Sequence, residues 1–111
     1  MGMNRFASAV LFLFISLGTE ASVTLQNLNT KMSPQEKQIY VLGVASGYEW
    51  SNAFLQQEGK PPHYCVPGDL ALNPKNFITI FEDQLKAHKY EAEDYAEVVM
   101  LFGLKRVFPC R

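Results

Sequence analysis

The chain has 111 residues, with 10 basic and 11 acidic side chains for a formal charge of −1, two histidines and two cysteines. So even a balance leaves no basic stripe for nucleic acid and no polybasic segment for anionic lipid. The length admits one small domain and excludes a pair of them.

The first element is a leader. MGMNR carries Arg5, and Phe6 to Gly18 is a 13-residue run without charge. Thr19-Glu20-Ala21 then places small residues at minus three and minus one of a cut before Ser22. A basic start, a short apolar run and a small-residue exit describe a secretory signal peptide over residues 1–21. The run is shorter than the roughly 20 apolar residues that a membrane-spanning helix needs. The expected mature chain, 22–111, is then a single domain outside the cytoplasm, with no membrane attachment once the leader is cut. Removal takes away Arg5 and Glu20 and leaves the charge at −1.

Ser22 to Met32 carries Leu25 and Leu28 among polar residues and reads as a short helix or an ordered arm. The next signal is strong. Ser33 is placed to cap, Pro34 suits the first helical position, and Glu36 completes an S-x-x-E capping box. The pattern predicts a helix from Pro34 to about Gln57, with Ile39, Tyr40, Val44, Tyr48, Ser51 and Leu55 on its apolar side and Gly59 at its stop. Gly43 and Gly47 lie on one face of it, each costing about 1 kcal/mol of helix propensity relative to Ala. That loss predicts close approach of another helix, from the same subunit or across a homodimer. Glu49, Asn52 and Gln56 exclude the membrane reading of G-x-x-x-G.

Gly59 to Leu72, with three prolines, is the one long irregular stretch. Asn73-Pro74 opens a further helix, whose Phe77, Phe81 and Leu85 form a stripe supported by Ile78. A last helix is predicted from about Glu91 to Val107. Acidic Glu91, Glu93, Asp94 and Glu97 stand at its start, and basic Lys105 and Arg106 at its end, both favourable to the helix dipole. Tyr95, Val98, Val99, Phe102 and Arg106 share one predicted face, and Leu101, Leu104 and Phe108 widen the apolar surface beyond a single stripe. The whole reads as an all-α fold, a small three- to four-helix bundle.

In an exported domain of this size two thiols are most simply a disulfide, here Cys65 to Cys110, so the bundle is expected to be stapled by one disulfide. A metal set of His63, Cys65, His88 and Cys110 lacks the close pair spacing of structural zinc sites. Cys65 as a nucleophile served by His63 fails because oxidation silences the thiol. No metal, no cofactor and no catalytic residue is expected.

With those residues placed, the chain resembles the Rap/Tai family of type VI secretion immunity proteins. The features that carry the likeness are the leader, the run Tyr40, Gly43, Gly47, Tyr48 on the long helix, Tyr64-Cys65-Val66-Pro67, and a last helix ending in Phe108-Pro109-Cys110. The resemblance implies a periplasmic, all-helical, often dimeric protein. It implies a function as well: protecting a bacterium by plugging the active site of a peptidoglycan amidase injected by sister cells.

Two surfaces are candidates for that contact. One is the stapled loop Gly59 to Asp69, with Lys60, His63, Tyr64 and Asp69; the other is the acidic group Glu91, Glu93 and Asp94, suited to steering a basic partner. Tyr64 also has a structural alternative, packing beneath the disulfide. Trp50 and Tyr90 fit either a core or an interface. Competing functions are a small periplasmic chaperone and an envelope structural protein without a toxin partner.

Overall fold

The computed structural model describes residues 22–111; the leader assigned to 1–21 lies outside them. Four helices make up the secondary structure of this region: α1 (Leu25–Lys31), α2 (Pro34–Gln57), α3 (Pro74–Ala87) and α4 (Ala96–Val107). The described part of the chain is all-α, and Cys65 and Cys110 are joined in a disulfide. None of these helices is long and apolar enough to cross a membrane.

Local chemistry explains each boundary. Ser33 Oγ accepts the Glu36 N–H at 3.2 Å and Glu36 Oε1 accepts the Ser33 N–H at 2.9 Å, closing the capping box ahead of α2. Those bonds, the one from the Ser33 backbone foremost, hold the Glu36 carboxyl below its ordinary value. Asn73 and Asn76 make the same reciprocal pair ahead of α3, with an amide in place of the carboxylate. At the other end of α2 the chain turns through Gly59, whose φ is +71°. The Gly59 N–H reaches Gln56 O and the Lys60 N–H reaches Leu55 O, a Schellman closure that only glycine enters at low cost.

The start of α4 differs from expectation. Glu91, Glu93 and Asp94 belong to a turn before the helix. The backbone there is already committed to the N-terminal segment: the Leu25 N–H donates to Asp94 O at 2.8 Å, the Gln26 N–H to Ala92 O at 3.0 Å, and the Ala96 N–H to Val23 O at 2.9 Å. The single Ala96 N–H, given to Val23, is lost to the Ala92 carbonyl that a helix beginning at Glu91 would need it for.

The core is formed by Leu25, Leu28, Val41, Ala45, Tyr64, Phe77, Ile80, Phe81, Ala96, Val99, Met100, Leu104 and Phe108. α3 and α4 pack most closely, over Gly103. A Cβ there would lie 3.0 Å from Ile80 Cγ2 and 3.2 Å from both Gln84 Cβ and the Ile80 carbonyl oxygen. The close approach expected at Gly43 and Gly47 is not made among the described residues, where a Cβ at either would meet nothing within 4 Å. Part of each predicted apolar face turns outward. Ile39 is 71% exposed, and Tyr95, Val98 and Phe102 point largely outward, while the expected Tyr40, Val44 and Tyr48 pack on the core and the expected Val99, Leu104 and Phe108 are buried in it together with Val41, Ala45 and Met100.

Candidate functional site

Asn52 organises the loop. It is buried on the inner face of α2, where its Nδ2 donates to the Tyr64 carbonyl at 2.7 Å and its Oδ1 accepts the His63 N–H at 2.6 Å. One side chain thus fixes the backbone on both sides of the 63–64 peptide. The Cys65 N–H then donates to Phe108 O at 2.9 Å, and the disulfide closes beside it with its Cα atoms 4.9 Å apart. The irregular stretch is thereby held at its middle by α2 and by the end of α4.

That geometry separates the predicted site residues. Tyr64 is 1% exposed and belongs to the core, so it is corrected from a contact residue to a packing residue. Burial, with the Glu49 charge a smaller contribution, pushes its phenol up to about 12. The neighbouring His63 stays at the surface, its Nε2 3.3 Å from Ser51 Oγ on α2. Lys60 is exposed and pairs with Glu58 at 2.9 Å, and Asp69 is exposed. With both cysteines oxidised, neither thiolate can serve a metal or a nucleophilic step, and no group of three or more ligating side chains occurs among the described residues.

The acidic candidate is a different place. Glu91 and Glu93 are exposed, whereas Asp94 is half-buried and its Oδ2 accepts the Glu91 N–H at 2.7 Å. Asp94 therefore works mainly as a turn-forming residue. The turn sits by the N-terminal half of α2, where Tyr40 meets Glu97, while the loop sits by Asn52, 12 residues on. At 1.5 Å per residue these anchor points are about 18 Å apart along the helix. They form two surfaces.

Sequence reasoning did not find the pair of exposed aromatics on the outer face of α2. Trp50 is 65% and Phe54 57% exposed, with ring centroids 6.3 Å apart, and Ser51 between them touches His63. Phe54 was missed because its spacing from Trp50 fits a buried stripe equally well. Trp50 was left between core and interface, and the structure puts it outside. The outward face of α2 thus runs Ile39, Gly43, Gly47, Trp50, Phe54, apolar or bare along its length. A cleft of about 260 Å³ between α1, α2 and α3, lined by Leu28, Val41, Ile78, Phe81 and Leu85 among others, includes none of the predicted site residues.

No family model, no curated protein and no solved structure matches this chain.

Proposed function

We propose that this protein is an exported binding protein that inhibits an enzyme by occlusion, and specifically a periplasmic immunity protein against a type VI secreted peptidoglycan amidase. The observation that carries the binding role is the exposed Trp50–Phe54 pair on the outer face of α2, a helix whose inner face fastens the 63–64 loop through Asn52, with the disulfide closing that loop. Exposed tryptophan on a rigid support is the common anchor of protein interfaces. A loop ordered in advance also loses little entropy on binding. The amidase as partner, and the periplasm as location, rest on the family resemblance and on the leader at 1–21. The homodimer belongs to the same proposal, with the open Gly43–Gly47 stretch of α2 available to a second copy.

The test uses purified peptidoglycan amidase effectors of the type VI class. Trp50→Ala and His63→Ala, together, are expected to weaken inhibition at least about 30-fold, the equivalent of a 2 kcal/mol hot spot, with a melt within about 0.5 kcal/mol of wild type. Full inhibition by the double variant moves the contact to Glu91 and Glu93. Absence of inhibition by the wild type, combined with suppression of aggregation of an unrelated unfolded protein, supports the chaperone alternative, which the outward Tyr95, Val98 and Phe102 favour.

A further inference from the structure

Glu97 carries a charge whose partner is missing among the described residues. Its Oε1 accepts the Tyr40 hydroxyl at 2.7 Å and the Val23 N–H at 3.2 Å. Its Oε2 is buried and has no hydrogen-bond partner, a condition shared only with the Tyr64 hydroxyl among the described residues. The one ion pair there joins Lys60 and Glu58, so no side-chain cation answers Glu97. A carboxylate oxygen removed from water without a hydrogen-bond partner is destabilising until a donor is supplied.

The segment that reaches this carboxylate begins one residue after the expected cut. Val23 already donates to it, and the register is held by the Ala96 N–H to Val23 O, the Leu25 N–H to Asp94 O, and an antiparallel bridge between Thr24 and Tyr95. Ser22 is the next residue outward, with its Cα about 3.8 Å from that of Val23. In the unprocessed chain its nitrogen is a neutral amide with one N–H. After cleavage before Ser22 it is an ammonium with three.

We propose that Glu97 is the receptor for the α-ammonium group created on Ser22, so that removal of the leader completes the contact fastening the N-terminal segment to α4. The inference rests on the removal of residues 1–21. It adds a specific site, and a consequence: the mature chain is more stable than its precursor because processing supplies the cation. The groups facing the site are Tyr40 and Tyr48 from α2, the latter donating to the Glu97 carbonyl at 2.9 Å, and Asp94 with exposed Glu91, Glu93 and Tyr95 from the turn. Burial, reinforced by Glu97, pushes both phenols up, so neither titrates with the amine.

An α-amine has an ordinary pKa of about 7.7–8.0, and pairing with a carboxylate raises it in the folded state. The added stability is then fully present below about pH 7.7 and is lost as the pH rises through the raised value. The test begins with protein purified after export, whose intact mass locates the cut. In uniformly ¹³C,¹⁵N-labelled protein the titration of the unmodified α-amine is followed through the Ser22 Cα and Cβ shifts against pH, folded and in urea. The expected result is a start at Ser22 and an amine titrating about one unit or more higher folded than unfolded. In Glu97→Gln the difference is expected to vanish. Equal values in the folded and unfolded wild type, or a shift that survives Glu97→Gln, overturn the inference. Should that variant fail to fold, the wild-type comparison alone decides. A start at another residue overturns both the cut before Ser22 and this inference, whereas a Ser22 start with an unshifted amine overturns the inference alone.

Discussion

The two faces of α2 are built from similar residues and meet opposite surroundings. On the inner face Tyr40, Tyr48 and Asn52 each find a partner across the bundle: Glu97 for the tyrosines, and the 63–64 backbone for the amide. On the outer face Ile39, Trp50 and Phe54 stand in the open around two bare glycines. Large apolar side chains on both faces of a helix call for cover on both sides, and the bundle supplies it on one. The inner face therefore accounts for stability. The outer face costs helix propensity and returns no packing among the described residues, and it is the face to which the proposal assigns a partner.

The largest expected effect comes from releasing the loop that the inner face holds. Replacing Cys65 and Cys110 together with Ser opens a bridge between residues 45 apart and is expected to cost roughly 4 kcal/mol in the chain-entropy model, read as a lower urea midpoint. Loss of less than about 1 kcal/mol would mean that Asn52 alone secures the loop. Asn52→Leu, the next largest, leaves the His63 N–H and the Tyr64 carbonyl without their partner and is expected to cost about 2–4 kcal/mol, with the disulfide still formed.

The glycines give the sharpest contrast and the smallest effect. Gly103→Val must displace Ile80 and Gln84, with an expected cost of about 1–3 kcal/mol. Gly47→Ala meets nothing among the described residues and is expected to raise stability by about 0.5–1 kcal/mol through helix propensity. If two copies pair across this face, Gly47→Ala instead weakens the association seen by sedimentation. A Gly47→Ala protein that melts lower than wild type at dilutions where it is monomeric would show that the outer face is covered by the chain itself.

Much of this was legible in the residues. Ser33, Pro34 and Glu36 determine where α2 starts because their side chains and ring act on their own backbone, as Asn73 and Pro74 do for α3. Gly59 marks the stop for a conformational reason equally local. The two-cysteine count in a domain read as exported was enough to pair Cys65 with Cys110, since no other intramolecular pairing exists. What stayed hidden was which face of each helix turns inward. Both faces of α2 and α4 carry apolar residues, so periodicity does not choose between Ile39 and Val41, or between Phe102 and Met100; the positions of neighbouring helices do. Asn52 reads as an exposed amide until the loop lays two peptide groups against it. Glu91 to Asp94 reads as a first helical turn until Val23 takes the Ala96 N–H. Caps, stops and the staple were thus determined by the sequence, because each depends on a few adjacent atoms or on a count. The face of α2 left open, and the carboxylate oxygen of Glu97 left without a partner, were decided only in the tertiary structure, where segments distant along the chain compete for the same hydrogen bonds and the same surface.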